Sequence, residues 1–377
     1  MFTSIHSSFF VGISFVIWLV GCSSAAWGQR SQIKLLFAGD IMQHKPQIES
    51  AAVVPNQIYD YTSCFQYVAP LLQSADLAIG NLELTLAAQP PYTGFPLFKS
   101  PDTLAHALRA AGFDILTTAN NHANDGHIAG LRHTITQLEH AQLLQTGTFR
   151  EVAERALHYP LIVYKNNFKL AFLNYTYSTN GIPTREPTVV NRIDESLIKS
   201  DIVTARKLHA DIIILCMHWG DEYQSQPNSE QQRLAENMLR WGADLVVGTH
   251  PHVVQPTISY TLLRPDQHKE QALVAYSLGN FISNQRRKNA DGGMLLEVTF
   301  EKDEQTGQKY VQQARYHPVW TYIRQEGQAY RYYVLPIYAA TSKKLPTGFL
   351  TARAARRMED YARYLDKLLN ENFTAWK

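Results

Sequence analysis

Short apolar runs alternate with amphipathic stretches along most of the chain. Apolar residues recur at helical spacing over residues 103–111, 127–140, 195–209 and 230–242. Between and around these stretches lie runs with the length and composition of buried strands: Ile33 to Ala38, Leu77 to Ile79, Asp114 to Thr118, Lys169 to Leu173, Asp211 to Met217, Leu245 to Val247, Leu273 to Ser277 and Met294 to Phe300. Apolar strands that alternate with helices predict an α/β protein whose strands are covered on both faces.

Glycine follows two of the predicted helices, at Ala111-Gly112 and Trp241-Gly242. We expect both glycines to be left-handed helix C-caps before the next strand. The pattern changes near residue 300, where two alternating strands around Thr306-Gly307 predict a hairpin. A loop carrying Pro336 and Pro346 and a C-terminal helix over 351–370 are expected to follow. We predict that residues 301–377 complete the domain formed by residues 33–300.

The N-terminal segment differs from the rest of the chain. The first 29 residues contain no Asp, Glu, Lys or Arg, and residues 9–20 form an apolar segment of signal-peptide length. Leu19-Val20-Gly21-Cys22 follows and resembles the lipobox of bacterial lipoproteins, in which cleavage precedes a lipid-carrying Cys. We predict a lipoprotein signal peptide over 1–21, a tether over 22–32 and an exported protein anchored to a membrane of the bacterial cell envelope. A secretory signal cut near Ala25-Ala26 and an uncleaved anchor are the alternatives.

Composition excludes several classes of protein. The chain has 377 residues, of which 45% are hydrophobic and 18% charged, so it is neither disordered, collagenous nor a coiled coil. The net charge of +2 gives no basic field for nucleic acid, and no nucleic-acid partner is expected. Three cysteines spaced far apart exclude a disulfide framework and a zinc-binding cysteine pair.

Polar residues of metal-ligand type follow the predicted strands. They occur in Gly39-Asp40, Gly80-Asn81-Leu82-Glu83, Asn120-Asn121-His122 with Asp125, His218-Trp219-Gly220-Asp221-Glu222-Tyr223, Gly248-Thr249-His250-Pro251-His252 and Gly279-Asn280. Each alone has an ordinary explanation as a turn, a cap or a structural histidine. Because ligands bind at the carboxyl ends of strands in α/β sheets, we expect the groups to converge. Imidazole, carboxylate and amide donors together suit a divalent transition metal such as Mn, Fe or Zn.

The same motifs resemble a known family. Gly-Asp, Asn-Leu-Glu, Asn-Asn-His, His-Trp-Gly-x-Glu-Tyr, Gly-x-His-Pro-His-Val-x-Gln and Ser-Leu-Gly-Asn-Phe, in this order over residues 33–300, are similar to the CapA proteins of poly-γ-glutamate capsule synthesis. That family is related to the calcineurin-like metallophosphoesterases. The resemblance implies an α/β/β/α sandwich with a metal site at the carboxyl ends of its strands.

The resemblance also implies roles for individual residues. The metal ligands it implies are Asp40, Glu83, Asn121, His218, His250 and His252. His122 would act on the substrate as a general acid or transition-state stabiliser, with Asp125 orienting it. The alternative for this pair is that both residues cap the helix beginning near Gly126.

Two departures from the superfamily pattern affect the number of ions. Asp40 is followed by Ile41 and Met42 where the superfamily has Asp-x-His, so one ligand is absent, and His44 is a candidate replacement. Asn81 and Glu83 stand where phosphoesterases have Gly-Asp. One or two ions therefore remain open.

Two functions are compatible with the sequence. The first is an exported metal-dependent hydrolase or transferase that acts on an envelope polymer such as poly-γ-glutamate, or on a phosphoester. The second is a non-catalytic, membrane-tethered component that binds or exports polymer beside capsule-synthesis membrane proteins. Arg286-Arg287-Lys288 is the cationic cluster nearest to the predicted site motifs, although such runs are usually solvated surface.

Overall fold

The computed structural model describes residues 30–53, 58–263, 269–339 and 345–370. The predicted signal peptide, Cys22 and most of the tether lie outside the described residues. In the described part of the chain, no helix has both the length and the apolar character needed to cross a bilayer.

The elements alternate between strand and helix for most of the chain. The strands are β1 (Arg30–Ile41), β2 (Ala52–Val53), β3 (Ile58–Tyr59), β4 (Leu77–Leu82), β5 (Thr85–Ala87), β6 (Lys99–Pro101), β7 (Ile115–Thr117), β8 (Leu144–Thr146), β9 (Thr148–Phe149), β10 (Leu161–Lys165), β11 (Phe168–Thr176), β12 (Val189–Val190), β13 (Ile212–His218), β14 (Leu245–Thr249), β15 (Val254–Leu263), β16 (Lys269–Leu278), β17 (Asn280–Ile282), β18 (Gly292–Asp303), β19 (Lys309–Glu326) and β20 (Ala329–Pro336). The helices are α1 (Lys45–Ala51), α2 (Thr62–Phe65), α3 (Ala69–Leu72), α4 (Thr103–Ala111), α5 (His127–His140), α6 (Val152–His158), α7 (Glu195–Lys207), α8 (Ser229–Trp241), α9 (Ile337–Ala339) and α10 (Ala352–Asn370).

Two sheets contain most of the strands. The first has eight strands in the order β20-β19-β18-β1-β4-β7-β8, with β17 pairing beside β1. Strands β17, β1, β4, β7 and β8 run parallel, whereas β18, β19 and β20 form an antiparallel side. The second has six strands in the order β10-β11-β13-β14-β16-β15, parallel except at its two edges.

The sheets pack face to face with helices outside each of them. Alternate residues of β1 show this: Leu35 and Phe37 lie in the core shared by the two sheets, whereas Leu36 lies in a second cluster with helix α4. On the second sheet, Phe172 faces the shared core, and Leu173 packs in a cluster with helices α7 and α8. The predicted α/β/β/α sandwich is confirmed.

The predicted helix ends are confirmed, and one predicted loop is wrong. Gly112 and Gly242 are C-caps with φ of 116° and 119°. The hairpin around Thr306-Gly307 joins β18 to β19, and α10 packs Tyr361 into the core between the sheets. Pro336, however, ends strand β20 instead of lying in a loop. Strand β20 is an edge strand, where a residue without an N–H is tolerated.

Asn174 of β11 connects the two sheets beside the carboxyl ends of their strands. Its side-chain oxygen accepts hydrogen bonds from the backbone N–H groups of Thr118 and Ala119, at 3.2 and 2.7 Å, just after β7. Its amide donates to the carbonyl oxygen of Cys216 in β13 at 3.0 Å. The loop that carries Asn121 and His122 is therefore fixed to the second sheet.

We expect Asn174→Ala to lower the free energy of unfolding by about 3 kcal/mol, because the buried Ala119 N–H loses its acceptor and a cavity opens. Chemical denaturation would measure the change. Gln232→Ala, which removes an exposed amide on α8, is the control and should change stability by no more than about 0.5 kcal/mol. Equal stability of the two variants would contradict the connecting role of Asn174.

Candidate metal centre

Strand ends from both sheets bring the predicted ligands together. Asp40 lies near the end of β1, Glu83 directly follows β4, and His218 ends β13. His250 and His252 follow β14, and all five side chains are at most 2% exposed. Tight packing beside Asp40 requires glycine before it, because a Cβ on Gly39 would lie 1.9 Å from the carbonyl oxygen of Gly279.

Glu83 is at the middle of the cluster. Its Oε1 lies 3.6 Å from His218 Nε2 and 3.9 Å from His252 Nε2. Two sets of three ligand atoms each lie within 4.8 Å of one another: Glu83 with His250 and His252, and Glu83 with Asp40 and His218. Ligands held about 2.0–2.2 Å from one ion lie at comparable separations, so the spacing is compatible with a metal ion.

The hydrogen bonding of the cluster also fits a cation. Among the described residues, neither carboxylate oxygen of Glu83 nor Nδ1 of His250 has a hydrogen-bond partner, although all three atoms are buried. A buried carboxylate without a partner is costly unless a cation compensates it, and burial raises the pKa of Glu83 well above its ordinary value. Burial lowers the pKa of His218, and that of His250 to about 3, so both imidazoles are neutral with a lone pair to donate. The described donors therefore fit a divalent cation.

Asp40 orients its neighbours through both oxygens. Oδ1 accepts from the amide of Asn81 at 2.8 Å, and Oδ2 lies 3.0 Å from His252 Nδ1. The backbone N–H of His250 donates to Oδ2 at 3.3 Å. A carboxylate that accepts from one nitrogen of a histidine leaves the other nitrogen free for a metal, and here that nitrogen is His252 Nε2 near Glu83.

The backbone of the His-Pro-His turn is unusual. His250 has a φ of 98° and His252 a φ of 58°, in the region that non-glycine residues rarely adopt. Such strain persists only where the surrounding structure imposes it, and it concentrates at functional sites. The turn directs both imidazoles into one buried cluster.

Asn121 and His122 lie at the cluster on the loop after β7. The amide oxygen of Asn121 is 2.9 Å from His218 Nε2. His122 Nδ1 lies 2.7 Å from Asp125 Oδ2, which also accepts from the Phe98 N–H at 2.6 Å. The predicted orienting contact between Asp125 and His122 is present.

The alternative in which His122 and Asp125 cap the following helix is wrong. Helix α5 begins after Gly126, and no side-chain hydrogen bond caps it. The carboxylate of Asp125 is engaged with His122 and with the backbone of Phe98. The pair is therefore organised around the His122 ring, whose Nε2 lies 3.5 Å from the amide nitrogen of Asn180.

His44, the candidate replacement ligand, belongs to neither set of ligand atoms found among the described residues. Its Nδ1 lies 3.2 Å from Gln47 Oε1 and 3.4 Å from the backbone nitrogen of Asn284. Burial lowers the pKa of His44 to about 4. These contacts give His44 a structural role at the start of helix α1.

Tyr177 is a site residue that the sequence reasoning missed. It directly follows β11, and its ring centroid lies 4.5 Å from that of His250. It is 40% exposed, and burial of the rest of the side chain raises the pKa of its phenol to about 12. The predicted strand 169–173 ends before Tyr177, because the polar residues Asn174 and Thr176 interrupt the apolar run. Extending the same rule to Asn174-Tyr175-Thr176-Tyr177 would have found it.

Two solved structures are similar to this chain at low sequence identity. The calcineurin-like phosphoesterase YfkN from Bacillus subtilis is 13% identical with a TM-score of 0.48, covering 90% of this chain and 98% of that one. The NAD nucleotidase NadN of Haemophilus influenzae is 11% identical with a TM-score of 0.47, covering 90% and 61%.

Two relatives are more similar to this chain in sequence than these solved structures are. The "PGA biosynthesis protein CapA" of Bacillus subtilis (strain 168) is 29% identical over 253 residues, covering 64% of this chain and 62% of the relative. The "Capsule biosynthesis protein CapA" of Bacillus anthracis is 30% identical over 290 residues, covering 70% and 65%. The chain thus spans slightly less than two thirds of the length of these relatives. Residues 34–285 match the profile described as "Bacterial capsule synthesis protein PGA_cap". The chain belongs to this family of bacterial capsule synthesis proteins.

Proposed function

We propose that this protein is a metal-dependent hydrolase or transferase that acts on an envelope polymer during capsule synthesis. The observation that carries the proposal is the fully buried Glu83 carboxylate, which has no hydrogen-bond partner among the described residues and faces His218 and His252. A purely structural carboxylate in this position would be expected to have donors around it.

The ligand set supports a transition metal. Imidazole nitrogens with carboxylate and amide oxygens suit Mn, Fe or Zn, bound as one ion or two. Asp40, Glu83, Asn121, His218, His250 and His252 would hold the metal. When bound, such an ion polarises a phosphoryl or carbonyl oxygen of the substrate as a Lewis acid.

The remaining chemistry is assigned to side chains beside the ligands. His122 gives a proton from Nε2 to the leaving group, because Asp125 engages Nδ1 and stabilises the charged ring. Tyr177, at the exposed rim next to His250, donates its phenol proton in a hydrogen bond to a substrate oxygen. A phenol is protonated at neutral pH, and burial raises the pKa of Tyr177 further above its ordinary value.

The substrate class follows from two sources. The relatives are named for capsule and PGA biosynthesis, which favours an anionic envelope polymer such as poly-γ-glutamate. The ligand arrangement favours a phosphoester as the alternative substrate. Assays with phosphomonoester, phosphodiester and γ-glutamyl substrates, with and without added Mn or Zn, test both. Turnover that requires metal supports the proposal, whereas polymer binding without turnover of any substrate would favour a non-catalytic component of the capsule machinery.

We further propose that the mature protein is exported and lipid-anchored through Cys22, near capsule-synthesis membrane proteins. A lipid attached to this thiol, together with the polar tether, holds a soluble domain at the membrane. Cys22→Ser should therefore release the protein from the membrane fraction, or leave an unprocessed precursor of higher mass. Fractionation with mass spectrometry measures both. Wild-type protein that keeps its full N-terminal mass, and a variant that sediments with membranes in the same way, would instead indicate an uncleaved anchor.

A further inference from the structure

A cationic cleft lies beside the His-Pro-His turn of the candidate metal centre. It has a volume of about 460 Å³, and its lining includes Tyr223, Arg287, Lys288 and Asn289. Val253, which directly follows His252, also lines it, so the cleft and the metal cluster share one turn of the chain.

Tyr223 connects the cleft to the cluster. Its backbone N–H donates to the carbonyl oxygen of Pro251 at 2.8 Å, and its ring centroid lies 5.9 Å from that of His252. The guanidinium of Arg287 lies over the Tyr223 ring, 4.2 Å from its centroid. Tyr223 therefore contacts both Arg287 of the cleft and His252 of the cluster.

The two positive charges of the cleft are available to an anion. In the part of the chain that the structure describes, no salt bridge is formed by Arg287 or Lys288, and both side chains are exposed. The contact with the Tyr223 ring restrains the Arg287 side chain, and a guanidinium can bind an oxyanion in a bidentate manner. The exposed Glu222, which directly precedes Tyr223 in the chain, carries a negative charge that opposes an anion there.

We propose that this cleft is a subsite for a second anionic group of the substrate, a carboxylate or a phosphate, next to the group that occupies the metal cluster. The inference rests on the proposed function, since it assumes that the reacting group binds at Glu83 and its histidines. It implies that the preferred substrate carries anionic groups in series. A substrate with a single anionic group would fill the cluster and leave the cleft empty.

Affinity measurements with two probes test the subsite. The probes are a short poly-γ-glutamate oligomer and inorganic tripolyphosphate, titrated calorimetrically into the as-isolated protein. Arg287→Gln combined with Lys288→Gln should weaken binding of the preferred probe about tenfold, because charge-assisted contacts are lost. Preference for one probe separates the carboxylate source from the phosphate source. Glu222→Gln should strengthen binding.

The matched control removes two positive charges elsewhere. Arg233→Gln with Arg240→Gln on α8 lowers the net charge equally at side chains that are 48% and 66% exposed. This control should bind as the wild type does. Equal affinities for the two double variants, or no binding of either probe by wild-type protein, would overturn the subsite. Failure of the proposed function is seen separately, as absent turnover with the affinity difference intact.

Discussion

Replacing both His250 and His252 by alanine is expected to remove the bound metal and reduce turnover to background. The two imidazoles and Glu83 form one of the two sets of ligand atoms, and Glu83 belongs to both. Changes to residues that merely support a ligand cost about 10–100-fold in metal affinity, so losing two ligands should cost at least about 100-fold. Elemental analysis of the purified protein, together with the turnover assay, measures both effects.

The control for this double variant is His106→Ala, which removes an exposed histidine of α4. Its metal content should equal that of the wild type. Circular dichroism verifies that the double variant is folded. Unchanged metal content in a folded His250→Ala/His252→Ala protein would remove both residues from the ligand set.

His122→Ala is expected to lower turnover by about 10²–10⁴-fold while metal content stays near that of the wild type. The reason is geometric: His122 contacts Asp125 through Nδ1, and its other nitrogen lies near Asn180, whereas the ligand atoms cluster around Glu83. Asp125→Asn should cost less, because Asp125 orients the ring without contacting the substrate. Steady-state kinetics with the best substrate, and metal analysis of each variant, make the comparison.

A different pattern would contradict this assignment. If His122→Ala lost metal and turnover in parallel, His122 would be a ligand. If it lost only stability, with turnover per folded molecule unchanged, its role would be structural. A larger loss for Asp125→Asn than for His122→Ala would also contradict the orienting role.

The apolar strands and the polar residues at their ends could be predicted because both are local features of the sequence, whereas the α/β/β/α sandwich was implied by the family resemblance. Each apolar run, such as Ile33 to Ala38 before Asp40, predicts a buried strand and identifies the polar residue at its carboxyl end. Parallel strands bring Asp40 and Glu83 to one edge of the first sheet, and His218 and His250 to one edge of the second. Packing of the two sheets then places these edges together.

The features that could not be predicted from the sequence depend on contacts between distant segments. Asn174 lies one residue beyond the predicted strand 169–173, and its bonds to the loop after β7 join two sheets and have no local pattern. Tyr177 is likewise defined by the His250 ring beside it. The helix-cap alternative for Asp125 fails because no side-chain hydrogen bond caps helix α5, and because the carboxylate oxygen near His122 also accepts from the backbone of Phe98, 27 residues away.

The central claim is that Glu83 and the histidines around it hold a metal ion. Anomalous diffraction from crystals of the purified protein, measured at the absorption edge of the bound element, tests this claim most directly. We expect an anomalous peak about 2.0–2.2 Å from a Glu83 carboxylate oxygen and from at least one imidazole nitrogen of His218, His250 or His252. A second peak nearby would indicate two ions. Crystals soaked in Mn or Zn that show no peak within this cluster, or a stoichiometric metal bound elsewhere on the chain, would contradict it.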